Sequence, residues 1–239
     1  MDAIASFAAS PNAKRQRIGS AAENDAPQAT AAAAAGGASS AAGRIQRVDG
    51  KVVQRICSDQ VIVDLPSALK ELLENALDAG TTKLDVRMKE HGVELLEVAD
   101  NGKGIAAADL DGVALRHTTS KLSEFDDLQS LTSFGFRGEA LNSLAALSSL
   151  CITTRTKEDV AASALSFHSD GSIASREKLA RDVGTCVGVA DLFVHFPVRR
   201  RELQRNASAE FRRLVSTLQA YALICHRCVI SPHLPIRRP

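Results

Sequence analysis

From Leu65 to Ala79 the apolar residues Leu65, Ala68, Leu69, Leu72, Leu73, Ala76 and Leu77 recur at intervals of three and four, which predicts an amphipathic helix with one buried face. Pro66 near its start and Gly80 just past its end mark the limits. Downstream the period changes. Leu84, Val86 and Met88 alternate with Asp85 and Arg87 as in a half-buried strand, and Glu90-His91-Gly92 supplies a turn into Val93 to Val98, so a hairpin is expected.

A glycine-rich turn follows at Asp100 to Gly104, then a short helix is expected around Ala106 to Leu115. Residues 116 to 137 are polar and lack periodicity, as in a long loop. Loops of that length inside a domain are usually functional, lids especially. A helix from about Glu139 to Leu147 closes it, and alternating segments at Leu150 to Arg155, Leu165 to His168 and Cys186 to Leu192 add strands, with Asp170-Gly171 as one turn. Phe211, Leu214, Val215, Leu218, Ala222 and Cys225 form a second helical stripe. The prolines at 232, 235 and 239 predict an irregular end after Cys228.

With 239 residues, 45% of them apolar, the chain can bury one ordinary core and begin a second. Its net charge of +1 neither favours nor opposes nucleic acid, because a balanced total can hide a basic patch. Five scattered cysteines suit a reducing compartment without disulfides, and no apolar stretch is long enough to span a bilayer, so a soluble intracellular protein is expected. Residues 1 to 43 are dominated by Ala, Ser, Gly, Asn and Pro and bury too little side chain to offset the entropy of ordering, so they read as a disordered tail. Inside it, Pro11 to Ile18 holds Lys14, Arg15 and Arg17, a basic cluster of the nuclear-import kind. A plain solvated charge run has the same composition, and Asp2, Glu23 and Asp25 weigh against an organellar transit peptide.

On the first helix Glu71, Asn75 and Asp78 are spaced four and three apart and share one edge beside the apolar stripe, whereas Lys70 and Glu74 are expected to face solvent. A carboxylate beside an amide suits metal-assisted hydrolysis: the amide can ligate Mg²⁺ while the carboxylate takes a proton from water. On a lone helix, polar residues flanking an apolar face would be ordinary. Here they precede Asp100-Asn101-Gly102-Lys103-Gly104-Ile105, where an Asp at a strand end can accept a hydrogen bond from an exocyclic amine and glycines admit a ring to the backbone. They also precede Phe134 to Leu141, a glycine-bounded loop entering a helix N-terminus, a setting that favours phosphate. Each signal is weak alone. Their order and separation make the set specific.

The segments Lys70 to Gly80, Asp100 to Ile105, His117 to Lys121 and Phe134 to Leu141 together resemble the nucleotide-binding motifs of the MutL mismatch-repair proteins, within the gyrase, Hsp90, histidine kinase and MutL superfamily. The Phe134 to Leu141 wording, and Gly184-Thr185 followed by Leu192 to Arg200, separate MutL from its relatives; Ile56 to Val61 resembles the eukaryotic post-meiotic-segregation subunit. The resemblance runs from about Arg44 to about Ile224. It implies an α/β fold of the Bergerat ATP-binding type, a two-layer sandwich with helices on one face of a mixed, mostly antiparallel sheet. It also implies a nucleotide domain over 44 to 183 and the start of an incomplete second αβ domain over 184 to 239, whose lysine for the γ-phosphate has no counterpart, so the chain reads as truncated. Carried over by position, Glu71 would be the general base and Asn75 the Mg²⁺ ligand, with Asp78 beside them. Asp100 would contact the adenine amine, with Gly104 beside the base and Thr185 supporting a water there. Ser120 and Lys121 would belong to the lid, and Arg137, Gly138, Glu139, Ala140 and Leu141 to the phosphate loop.

The function implied is slow, Mg²⁺-dependent ATP hydrolysis gating dimerisation and DNA engagement in mismatch repair, in the nucleus. The partners would be a second MutL-family subunit, double-stranded DNA and MutS-family recognition proteins, with no membrane. The alternative is a nucleotide-binding interaction module without turnover; a chaperone or topoisomerase subunit fits the Phe134 to Leu141 and Leu192 to Arg200 segments poorly. Residues 199 to 213 carry Arg199, Arg200, Arg201, Arg205, Arg212 and Arg213 against Glu202 and Glu210, a candidate phosphate-binding stripe for DNA or else a solvated face. Cys225 and Cys228 form a single CxxC with no second pair, better read as buried thiols than as a zinc site.

Overall fold

The computed structural model describes residues 57–58, 60–118, 134 and 138–233. The tail with its basic cluster, most of the expected lid, and Ser120, Lys121 and Arg137 lie outside the described residues.

Helix α1 spans Leu65–Asp78 and begins with a reciprocal cap. Asp64 Oδ1 accepts the Ser67 N–H at 2.8 Å, and Ser67 Oγ accepts the Asp64 N–H at 3.0 Å, satisfying two donors that a helix start leaves over. Pro66 sits in the first turn, where its missing N–H costs nothing. Its buried face is the stripe expected from the sequence, with Leu65, Ala68, Leu69 and Leu73 all fully buried.

The strands are β1 (Lys83–Lys89), β2 (Leu95–Asp100), β3 (Ser149–Arg155), β4 (Ala162–Phe167), β5 (Ile173–Leu179), β6 (Gly184–Ala190) and β7 (Val229–His233). They make one seven-stranded sheet in the order β5-β4-β3-β6-β2-β1-β7, antiparallel except where β7 runs parallel to β1. Register sets the faces. Val86 pairs with Val98, Val98 with Val187, Val187 with Ile152 and Ile152 with Leu165, so one row of apolar side chains crosses five strands. The core cluster joins this face to α1, to α2 (Ala140–Leu147), to Leu203 of α3 (Pro197–Arg205) and to Leu214 and Leu218 of α4 (Ala207–Ile224). Burying each such leucine contributes roughly 1.5 to 3 kcal/mol.

Several expectations change. Residues 184 to 190, expected to open a second domain, form β6, which lies between β3 and β2 in mid-sheet, and α3 and α4 feed the same core. Among the described residues no second αβ domain is seen. Directly after Cys228, Val229–His233 is regular rather than irregular, because β7 is an edge strand and an edge tolerates a residue such as Pro232 that cannot donate; residues 234–239 lie outside the described residues. Ala106 to Leu115 forms turns around a single 3-10 turn, Leu110–Gly112, pinned by the buried Leu110 and Ala114. Glu74 is buried rather than solvent-facing, since α4 packs across α1 on that side.

Candidate functional site

Asp100, Thr185 and Thr154 end up side by side because of strand register. Thr154 is opposite Thr185 across β3 and β6, two residues along from Ile152 and Val187 and therefore on the helix-covered face. The Thr154 and Thr185 hydroxyls lie 3.0 Å apart, Thr154 Oγ1 accepts the Ile105 N–H at 2.9 Å, and the Thr185 N–H donates to Asp100 Oδ1 at 3.1 Å. The Gly102 N–H donates to the same Oδ1 at 2.8 Å, whereas among the described residues no hydrogen bond reaches Oδ2. Burial pushes the Asp100 carboxyl above its usual range, against the pull of those two N–H groups and of Arg181.

Two glycines allow this approach. Gly184 has φ +131°, and a Cβ there would stand 2.1 Å from the Asp100 carbonyl oxygen; Gly104 has φ +77°, and a Cβ there would stand 2.2 Å from the Arg155 carbonyl oxygen. Neither strand backbone can yield to such contacts, so both positions require glycine.

Helix α1 forms the opposing wall. Glu71, Asn75 and Asp78 line a cleft of about 1460 Å³ together with Asp100, Gly104 and Thr185, and Gly138, Glu139, Ala140 and Leu141 close the end at α2. Every candidate nucleotide-site residue within the described set therefore meets in one cavity. Asp78 Oδ1 accepts the Phe134 N–H at 2.9 Å, tying Phe134 to the helix edge. Glu139 stands 3.5 Å from His117 Nδ1. Val98, Ile105, Ile152 and Val187 supply an apolar wall against which a planar ring can lie, and Lys103, Arg116 and Lys157 add positive charge to the lining. Thr154 and these cations were missed from sequence. The signal for Thr154 was its place in the β3 alternation; nothing local marked the cations.

The arginine stripe is divided. Arg199 Nη2 donates to the Val63 carbonyl at 2.6 Å, and its guanidinium lies 3.8 Å from the centre of the Phe193 ring. Arg200 pairs with Asp191 at 2.5 Å and donates to the Leu192 carbonyl. Arg213 bridges Glu210 and Asp64, and Glu210 also accepts the Leu65 N–H, which helps cap α1. Arg201, Arg205 and Arg212 are exposed.

A profile of the histidine kinase-, DNA gyrase B- and HSP90-like ATPases matches residues 63–183. The DNA mismatch repair protein PMS1 of Arabidopsis thaliana is 48% identical over 180 residues, covering 75% of this chain and 20% of that protein. The mismatch repair endonuclease PMS2 of Homo sapiens is 45% identical over 183 residues, covering 77% and 21%. The solved N-terminal domain of a DNA repair protein superposes with a TM-score of 0.67 at 36% identity, covering 75% of this chain and 51% of that one. The Aquifex aeolicus MutL ATPase domain complexed with ADP gives a TM-score of 0.54 at 26% identity, covering 72% and 61%. The fold and the cleft thus define an ATPase domain of this superfamily. The chain belongs to its MutL/PMS mismatch-repair family, as the N-terminal ATPase domain. It spans about a fifth of the length of the curated relatives it matches.

Proposed function

We propose that this cleft binds ATP and hydrolyses it slowly with Mg²⁺, with Glu71 as general base. The observation that carries the reading is the meeting of Glu71 and Asn75 on one wall with Asp100 and Thr185 on the other. Asp100 suits an adenine amine, because its half-buried carboxylate lines the cleft with Oδ1 already held by two N–H groups and Oδ2 left without a hydrogen bond among the described residues. Gly138 to Leu141 at the start of α2 suit phosphate. Among the described residues no three His, Cys, Asp or Glu side chains group into a metal cage. Mg²⁺ would therefore be held by the Asn75 amide oxygen together with the nucleotide's own phosphates and water, and would supply charge neutralisation there. The likeness to a relative solved with ADP supports a nucleotide in this place.

In the whole protein we infer that this step gates association with a second MutL-family subunit and engagement of double-stranded DNA alongside MutS-family proteins, in the nucleus. Arg201, Arg205 and Arg212 are exposed and, although Arg201 Nε donates to the Pro197 carbonyl at 3.2 Å, fit a phosphate-contacting role better than the less exposed Arg199 and Arg200, which are held against the chain. The test compares Glu71→Ala with Asn75→Ala by ATP titration and single-turnover hydrolysis. Glu71→Ala should keep nucleotide affinity and lose hydrolysis, whereas Asn75→Ala should lose Mg²⁺-dependent binding. Equal loss of binding in both refutes the division of roles. Tight binding without turnover in the parent chain would replace this reading with the interaction module.

A further inference from the structure

Glu74, one residue from Asn75 and three from Glu71, borders the same cleft and is 8% exposed. A buried carboxylate needs partners. Its Oε1 receives the Tyr221 hydroxyl of α4 at 2.6 Å and the Lys70 ammonium at 2.9 Å. The same Lys70 nitrogen stands 3.7 Å from Glu71 Oε1. An unbroken polar chain therefore leads from α4, beyond the residues matched by the family profile, to the carboxylate assigned as the base. Lys70 and Tyr221 line no strand row and carry no role in the site as assigned from sequence.

We propose that Tyr221, Glu74 and Lys70 form a tether that positions the Glu71 side chain for its reaction, making Lys70 and Tyr221 positioning residues and making α4 part of the catalytic apparatus. The inference deepens the ATPase reading above and rests on it. Geometry gives the tether its direction. Glu74 is the fixed point, gripped by a helix packed across α1, and Lys70 is the movable arm, half-exposed and shared between two carboxylates. Burial works against the Lys70 charge, yet the contact with Glu74 and the charge of Glu71 hold the ammonium above the usual lysine range. On the Tyr221 phenol the effects add: burial, then the Glu74 hydrogen bond and the charges of Glu74 and Glu71 all keep it protonated, so it serves as a permanent donor. Without Tyr221 the Lys70 pair loses its anchor, and Glu71 can leave the position from which it reaches water. A misplacement of that size reduces turnover without removing a binding contact.

The experiment uses the full chain; hydrolysis is first compared in Tyr221→Phe, Lys70→Met and their combination, with Glu74→Gln and Glu71→Gln as further variants. Tyr221→Phe keeps the ring and its packing, so folding is preserved. Single-turnover hydrolysis should fall by about tenfold in each single variant, with nucleotide affinity unchanged within about twofold, and the double variant should fall no further than the worse single, since both act through one carboxylate. A separate readout does not depend on hydrolysis. Tyr221 is the chain's sole tyrosine and there is no tryptophan, so near-ultraviolet absorbance and fluorescence report it alone. A phenol donating to a carboxylate is quenched and red-shifted, and Glu74→Gln should relieve both effects. Parent-like hydrolysis in Tyr221→Phe overturns the positioning role, and an unchanged tyrosine signal in Glu74→Gln overturns the tether. A relieved tyrosine signal with hydrolysis indifferent to Glu71→Gln overturns instead the base assignment.

Discussion

Asp100→Asn separates what this carboxylate does for the fold from what it does for a ligand. The Gly102 and Thr185 N–H groups both donate to Oδ1, so the carboxamide must turn its carbonyl oxygen to them, which places the NH₂ where Oδ2 was. An incoming adenine amine then meets a donor instead of an acceptor. Loss of a hydrogen bond to a charged group costs about 1.5 to 3 kcal/mol, or roughly tenfold to a hundredfold in Kd. Stability should move the other way. Because burial raises the folded-state pKa of Asp100, the folded chain holds a proton that the unfolded chain releases between the two values. Stability therefore falls as pH rises through that window, and the penalty persists at neutral pH. The carboxamide carries no such penalty, so the variant should melt at or above the parent temperature at pH 7 and show a smaller rise on acidification. ATP affinity of the parent should fall on acidification through the same window, as the acceptor becomes protonated. Calorimetric titration and thermal melts on both sides of the window measure the two effects. Parent-like affinity in the variant, or a marked drop in its melting temperature at pH 7, would refute the reasoning.

Beyond the Glu71, Asn75 and tether variants, two substitutions probe the frame of the site. Gly184→Ala should destabilise the domain by about 1 to 3 kcal/mol and weaken nucleotide binding with it, because the added methyl meets the Asp100 carbonyl backbone rather than a flexible side chain; an unchanged denaturation midpoint counts against this. Arg199→Ala should cost about 1 to 3 kcal/mol of stability through lost contacts with Val63 and Phe193, whereas Arg201→Glu should leave the melting temperature unchanged and weaken matched and mismatched duplexes alike, with a shallower salt dependence. Equal melting of Arg199→Ala and the parent would restore Arg199 to the solvent-facing stripe.

What could be read from sequence was what local periodicity encodes. The α1 stripe and its polar edge, the β1–β2 hairpin and the turn after Asp100 depend on residues within a few positions of one another. Glu74 was misread because the residue that buries it, Tyr221, is 147 positions away and no helical wheel contains it. Strand β5 was missed because Arg176, Glu177 and Lys178 are exposed on an edge strand and blur its alternation. Strand β7 was missed because Pro232 is a strong breaker in mid-sheet but a tolerable edge residue. The arginines of 199 to 213 looked alike as a charge run and differ in what packs beside them: Phe193 under one, Asp191 against the next, and an exposed surface position for Arg205.

The central place of β6 bears on how such a sheet is assembled in time. The β1–β2 hairpin and the β3–β4–β5 meander are each local and can form early, but within the sheet only β6 joins them. Its contact between Thr185 and Asp100 closes a separation of 85 residues. Non-local closure of that kind is slow, since the loop entropy is lost before the strand's pairing repays it. Until residues 184 to 190 arrive, the Asp100 and Thr154 sides of the cleft belong to two separate half-sheets with open edges. The two sides of the cleft therefore meet only once β6 has paired with both β2 and β3, so the cleft depends on a non-local pairing in the sheet rather than on either half alone.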